Sequence, residues 1–250
     1  MIYILFLFLV IYIWSQFSIQ KVRYKIKAPE NLKIVQISDL HNNIFGKDQK
    51  RLLKNIKEEN PDVIVMTGDI ISFKGKSYNV EKLLKQLPDV KKLYITGNHE
   101  DNDIFSRDKA ITLMQKYGVT VLKEDNIVIN KINFFGLSDR ESFDKNKYKE
   151  FNKWTILLLH RPEQQKIFKD FNYNLVLCGH MHGGQWRLPF IKEGLVSPEK
   201  KLFPKFTSGR YDISDKTIMI VSRGLGTMTW IPRIFNRPEL TIIELVKESK

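Results

Sequence analysis

The chain has 250 residues, with 41 Lys and Arg against 28 Asp and Glu, a formal charge of +13, 42% hydrophobic residues and one cysteine. That length and apolar content exclude disorder and fit one sizeable domain with room for an appendage. Cys178 has no intramolecular partner, which excludes a disulfide framework, and the positive charge points to anionic company: phosphate groups, nucleic acid or acidic lipid headgroups.

The first segment, Met1 to Ile19, reads MIYILFLFLVIYIWSQFSI and is followed by Lys21, Arg23, Lys25 and Lys27. Ile2 to Trp14 is unbroken apolar and spans about 20 Å as a helix; carried to Ile19 it reaches about 28 Å, near the hydrocarbon thickness of a bilayer. The run has neither strand nor helix periodicity, so a buried element of the core is the weaker alternative. It lacks the basic start and the small-residue cleavage pattern of a signal peptide. An uncleaved single-pass membrane anchor is expected, with residues 1–27 as anchor and basic flank and residues 28–250 as the domain. Cations C-terminal to the span place the domain on the cytoplasmic side by the positive-inside rule. Taking those four cations from +13 leaves +9, so the domain itself is basic.

Beyond Ala28, short β-rich runs alternate with amphipathic helical stretches. Lys33–Ser38 stops at Asp39, Val63–Gly68 at Asp69, Leu93–Gly97 at Asn98 and His99, Thr155–Leu159 at His160, and Leu175–Gly179 at His180. Between them, helices are expected over Asp48–Glu59, ended by Asn60 and Pro61; over Val80–Leu87, capped by Asn79 and stopped by Pro88; and from about Ile104 to Tyr117, stopped by Gly118. This is a βαβαβ start. Runs at 127–129, 132–135, 218–221 and 240–246 have little helix between them and read as antiparallel strands of a second sheet.

Ligand crevices of open α/β sheets lie outside the carboxyl ends of the strands, so strand-end residues scattered in sequence converge in space. Those residues are Asp39 and His41 (D-L-H), Asp69 (G-D), Asn98 and His99 (G-N-H-E), His160, and His180 with His182 (G-H-M-H-G-G). Asp after a strand is commonly a cap or turn residue, so a D-x-H or G-D alone carries little. The joint pattern carries much more, because all five histidines of the chain fall in these motifs. A carboxylate can bridge two cations, imidazole and amide oxygen suit Mn, Fe or Zn, and the absence of thiolates removes a structural zinc site. The set is large enough for two metals.

The order D-x-H, G-D, G-N-H-E, a single His after an apolar strand, then G-H-x-H resembles the motif series of the calcineurin-like metallophosphoesterase superfamily, over Asp39 to His182. Leu159-His-Arg-Pro-Glu163, Gly179-His-Met-His-Gly-Gly-Gln185, Ser222-Arg-Gly-Leu-Gly226 and Arg237-Pro-Glu239 are similar to its small bacterial membrane-associated branch. The resemblance implies two packed mixed β-sheets flanked by helices, a four-layer α/β/β/α sandwich. It implies one metal on Asp39, His41 and His182, a second on Asn98, His160 and His180, and Asp69 bridging them. Twin-arginine export occurs in that branch, but no arginine pair precedes the apolar run here.

Two divalent ions acidify a water and polarise phosphoryl oxygens, so hydrolysis needs no protein nucleophile. His99 sits beside Asn98 without being needed as a ligand, which suits donation of a proton to the leaving oxygen; a structural imidazole is the alternative. Arg161 either reaches a phosphate or pairs with Glu163. Glu100 and Asp101 read as solvated loop residues, with orientation of the imidazoles as the lesser reading. Trp186, Leu188, Pro189, Phe190, Ile191, Met228, Trp230, Ile231, Pro232, Ile234 and Phe235 interleave with Arg223, Arg233 and Arg237. With the anchor, this suits a phosphorylated lipid whose headgroup meets arginines such as Arg223, although each apolar residue alone reads as core. No nucleic-acid module is recognisable, and none is expected as partner. The leading expectation is therefore a membrane-associated hydrolase of phosphoester or pyrophosphate bonds. Next come a phosphodiesterase for soluble nucleotides or phosphodiesters, and a non-catalytic metal-binding scaffold, which the intact ligand set disfavours.

Overall fold

The computed structural model of the chain describes residues 2–72, 77–102, 104–188, 191, 193–196, 198, 202–227 and 231–248. In chain order the elements are α1 (Ile2–Phe17), β1 (Gln20–Ala28), β2 (Leu32–Ile37), α2 (Lys50–Glu58), β3 (Val63–Thr67), α3 (Tyr78–Leu84), β4 (Lys91–Ile95), α4 (Asn98–Asp101), α5 (Ile104–Lys116), β5 (Thr120–Val121), β6 (Asp125–Ile129), β7 (Ile132–Gly136), β8 (Thr155–Leu158), α6 (Gln165–Phe168), β9 (Leu175–Cys178), β10 (Gly209–Asp212), β11 (Ile218–Val221) and β12 (Glu239–Lys247). Two six-stranded mixed sheets result, ordered β1-β12-β2-β3-β4-β5 and β10-β11-β9-β8-β7-β6.

The central strands are continuous apolar runs because both of their faces are buried. Ile34, Val63, Val65, Leu93, Ile156, Leu158, Leu175 and Leu177 fill the space between the sheets. Their neighbours Val35, Ile37, Ile64, Met66 and Tyr94 face outward onto Leu52, Ile56, Leu83 and Met114 of the flanking helices. On the far side, Phe135, Leu157, Val176, Cys178 and Met219 pack with Phe168 and Tyr173. Period-2 alternation thus survives as a choice between two apolar layers rather than between core and solvent.

The βαβαβ start is present, with β2, β3 and β4 parallel. Two expectations need correction. The run at 240–246 belongs to the first sheet, where β12 lies antiparallel to β2 and parallel to β1. In the second sheet, β6–β7 and β10–β11 are antiparallel, whereas β7–β8, β8–β9 and β11–β9 are parallel. Strands β8 and β9, which carry the last histidines, therefore sit in a different sheet from β2, β3 and β4.

Residues 20–28 pair along their whole length with β12 as an edge strand. Lys21 pairs with Glu58 and Glu59, Arg23 with Glu59, and Lys27 with Glu248, so this flank is built into the domain. The apolar segment ends as a helix at Phe17, two residues short of Ile19. No helix among the described residues is long and apolar enough to cross a membrane. Sixteen residues of α1 rise about 24 Å, against a hydrocarbon core of about 30 Å.

Candidate metal centre

Each ligand candidate lies just past the carboxyl end of β2, β3, β4, β8 or β9, where the chain turns sharply. Asp39, His41, Asp69, His180 and His182 have φ of 50°, 49°, 53°, 70° and 47°, left-handed conformations that cost a side-chain-bearing residue energy and persist where the surroundings over-determine them. The motif glycines permit the crowding. Gly68, at φ 85°, lies so close to Gly97 that a Cβ on it would fall 2.6 Å from the Gly97 Cα.

Asp69 stands at the middle. Its Oδ2 lies 3.3 Å from His160 Nε2, 3.7 Å from His41 Nε2 and 3.9 Å from His99 Nε2, while its Oδ1 accepts the His99 backbone N–H at 2.8 Å. On one side Asp39 Oδ1 is 3.6 Å from His182 Nε2, and His182 Nε2 faces His41 Nε2 at 3.1 Å. On the other, His160 Nε2 is 3.1 Å from Asn98 Oδ1, and His180 joins Asp69 and His160 in one cluster. His160 donates Nδ1–H to the Thr67 carbonyl at 2.8 Å, which turns Nε2 toward Asp69. All seven proposed ligands therefore converge. The His41–Asp69–His99 grouping also places His99 beside the centre, its ring 4.7 Å from that of His41 and partly exposed.

This donor set fits divalent ions. Two imidazole nitrogens face each other, the buried carboxylates Asp39 and Asp69 lie among them, and buried His182 Nδ1 has no hydrogen-bond partner among the described residues. Burial pushes His41 down to about 4 and His180 and His182 well below the usual imidazole value, keeping them neutral and able to bind metal. His160 goes the other way: burial opposes its charge, but Asp69 and Asp39 hold it up at about 10. Burial raises Asp39 to about 6, with Asp69 adding to the rise and His160 opposing it.

Residues behind the ligands were less visible in sequence. Glu100 is buried and accepts backbone N–H groups from Asp69, Ile71 and Gly97, each at 2.9 Å. Burial and Asp69 raise it to about 8, while the N–H groups of Ile71 and Gly97 pull back. Its reading as a solvated loop residue is overturned; the Gly97-x-x-Glu100 spacing of a helix cap was the available signal. Asp101 is likewise enclosed, accepting the Arg140 N–H at 3.0 Å and facing Arg107 at 3.3 Å. Ser38 donates to Asp39 at 2.6 Å. Asp139 accepts from Arg161 Nε at 2.8 Å, and its position after an apolar strand, as for the metal ligands, is the sequence signal for it.

Arg161 pairs with Glu163, one of its two expected roles, and also reaches the ligand cluster. Its Nη1 lies 3.6 Å from Glu163 and 3.0 Å from His180 Nε2, and it lines an open cavity of about 620 Å³ with Asn98, Asp101, Asp139 and Phe143. Arg223 lies in another cleft, of about 320 Å³, with Arg187, Tyr24, Tyr211 and Glu239, its Nε 3.4 Å from Glu239. Arg233 cannot meet a headgroup as expected: it is fully buried and spends its guanidinium on the carbonyls of Arg223, Gly224 and Gly226. Arg237 is occupied by Ser18 and Ile19. Trp186, Leu188, Ile191 and Phe235 are exposed and Ile231 is buried, whereas Pro189, Phe190, Met228 and Trp230 lie outside the described residues.

Histidines, carboxylates and an amide converging between the ends of two sheets define a metal-dependent hydrolase site. The calcineurin-like phosphoesterase family profile matches residues 32–184, and the chain belongs to that family, a phosphoester hydrolase whose class uses a dinuclear divalent metal centre. It is 32% identical over 233 residues to the uncharacterized metallophosphoesterase YkuE of Bacillus subtilis, covering 86% of this chain and 79% of that one. An uncharacterized metallophosphoesterase of Campylobacter jejuni is 30% identical over 235 residues, which span 86% of this chain but 59% of the longer relative. UDP-2,3-diacylglucosamine pyrophosphatase LpxG of Chlamydia muridarum is 26% identical over 285 residues, with 87% and 84% covered.

Proposed function

We propose that the chain hydrolyses a phosphoester or pyrophosphate bond in a lipid-linked substrate, with α1 inserted in the bilayer and the domain on its cytoplasmic side. Asp39, His41 and His182 would hold one divalent ion, Asn98, His160 and His180 a second, and Asp69 would serve both. Such ions, Mn, Fe or Zn, supply Lewis acidity and an activated water for attack on phosphorus. The chain's own groups do the rest. Arg161, braced by Asp139, faces the cavity beside Asn98 and is placed to steady a phosphoryl oxygen. His99 stands over Asp69 and donates a proton to the departing oxygen. Arg223 is assigned to a more distant part of the substrate, since it packs against Gly183, next to His182.

One observation carries the membrane reading: Ile2, Tyr3, Phe6, Leu9, Tyr12 and Trp14 of α1 are exposed, and exposed Phe235 adjoins the end of that helix, where Ser15 accepts its N–H, with exposed Trp186 bonded to Pro232 of the same loop. The name of LpxG, which specifies a diacylated nucleotide sugar, supports a lipid-linked substrate. The test is a panel of lipid pyrophosphates and monophosphates in vesicles beside water-soluble nucleotides and aryl phosphodiesters, with two divalent ions per chain verified beforehand. Preference for vesicle substrates that is lost on removing residues 1–13, which spares the loop contacts of Ser15 and Gln16, is the expected result. Equal turnover of soluble nucleotides by both forms would assign the polar cavity at Arg161 to a soluble phosphodiester instead.

A further inference from the structure

Helix α1 is inverted relative to an ordinary surface helix. Ile2, Tyr3 and Phe6 are 74%, 85% and 67% exposed, whereas its polar residues Ser15 and Gln16 are 0% and 9% exposed. The buried pair grips one loop. Gln16 Nε2 donates to the Arg233 carbonyl at 2.6 Å and Gln16 Oε1 accepts the Arg233 N–H at 3.3 Å, so the side-chain amide pairs with both backbone groups of a residue 217 positions away. Ser15 Oγ accepts the Phe235 N–H at 3.0 Å. Arg237 closes the loop from outside, stacked 5.0 Å over Trp14 and donating to Ser18 and to the Ile19 carbonyl.

Two arms run from that loop to metal ligands. The Arg233 guanidinium gathers the carbonyls of Arg223, Gly224 and Gly226, at 2.6 to 3.2 Å. The gathered segment then presses on Asp39: Gly226 N–H donates to the Asp39 carbonyl at 2.6 Å, Leu225 N–H to Ser38 at 3.0 Å, and a Cβ on Gly224 would fall 2.6 Å from the Asp39 Cβ. In the second arm, Asn236 Nδ2 donates to the carbonyls of His182 at 2.7 Å and Gln185 at 3.1 Å. Asp39 and His182 are both left-handed, φ 50° and 47°, and need such bracing.

We infer that the last turn of α1, through Ser15 and Gln16, is a positioning element for the Asp39–His41–His182 half of the metal centre. The other half is braced by Glu100 and Thr67 and has no arm from this loop among the described residues. The inference rests on the dinuclear reading, but not on α1 entering a bilayer. Beyond any tethering, the helix end sets how tightly one of two ions is held, so detaching it unloads that ion first.

The test uses detergent-solubilised full-length chain, Mn2+ titration and electron paramagnetic resonance, which separates lone from spin-coupled ions. Wild type should take up two ions and show the coupled signal. Gln16→Leu should weaken one of the two binding steps by roughly 10-fold, the scale of losing a group behind a ligand. The weakened step should be the one abolished by His182→Ala, and a lone-ion signal should persist beyond one equivalent. Tyr12→Ala, on the exposed side of the same helix, should leave both steps unchanged. If Gln16→Leu does not fold, Arg237→Lys loosens the same loop from outside and should weaken the same step. Two unchanged steps in the folded variant overturn the inference alone, as do two steps weakened equally. A wild type that takes up one ion overturns the dinuclear reading and the inference with it.

Discussion

The two halves of the metal centre are held by different kinds of contact. Around Asn98 and His160 the supports come from the ligand strands and the turns that follow them: Glu100 sits two residues past Asn98 and ties Gly97 to Asp69, while the Thr67 carbonyl orients His160. Around Asp39 and His182 they come largely from the two ends of the chain, through Arg233 and Asn236 near the C-terminal end and Gln16 near the N-terminal end. A motif written compactly in sequence carries its own scaffold in the first case and borrows it in the second. Changes near the first half should act locally, and changes remote from the second should still reach the metal.

The largest effect is expected at the point the halves share. Asp69→Ala removes the carboxylate whose Oδ2 lies within 3.9 Å of His160, His41 and His99. Metal content should fall for both ions and turnover should drop to background. Full occupancy in this variant would dissolve the distinction between halves, because neither would depend on the shared ligand. Next comes His99→Ala, with turnover lower by roughly 10²–10⁴ and much of the metal retained. Measured against aryl and alkyl leaving groups, the loss should be smaller for the better leaving group. Equal losses would make His99 a structural imidazole against His41.

Glu100→Gln sharpens the comparison from the compact side. The amide keeps the shape but loses half of an acceptor that serves Asp69, Ile71 and Gly97. Metal affinity at the Asn98–His160 side should fall by about 10- to 100-fold, with the Asp39–His182 step less affected. A loss confined to the Asp39–His182 step, followed by stepwise metal titration, would contradict the local bracing of the first half.

What was legible in the sequence follows the same division. The ligands could be read because strand ends collect residues in space, and the apolar runs of β2, β3, β4, β8 and β9 mark those ends plainly. Which sheet each strand joins cannot be read, since a run buried on both faces looks the same in either; β12 is therefore expected in the second sheet and lies in the first, between β1 and β2. The segment at 20–28 resembled a basic membrane flank because its cations, paired in the fold with Glu58, Glu59 and Glu248, are indistinguishable in sequence from cations facing a headgroup. Arg233 reads as a headgroup cation for the same reason: buried donation to three backbone carbonyls leaves no trace in residue type.

The smallest expected effect concerns β1, the strand that follows α1 in the chain. Glu59, nearly buried, faces Arg23 at 2.7 Å and Lys21 at 2.9 Å. Burial opposes its ionisation, but the two cations prevail and hold its carboxyl below the usual value of 4.5. A depressed carboxyl stabilises the fold at pH values above its unfolded one, and that contribution disappears as pH falls through the folded value. Glu59→Gln should therefore lower stability at pH 7 by about 0.5–1 kcal/mol, because one end of the pair stays near solvent, or about 1–4 °C in Tm for a chain of this size. The gap between wild type and variant should close as pH drops below 4.5 and shrink in high salt. Thermal melts across pH 3–7, paired with Mn2+ titration at neutral pH, separate two roles for this contact. A gap that persists in acid would mean that Glu59 acts through packing rather than charge. Metal affinity that falls along with stability would show that β1, like Gln16, belongs to the long-range support of the Asp39–His182 half.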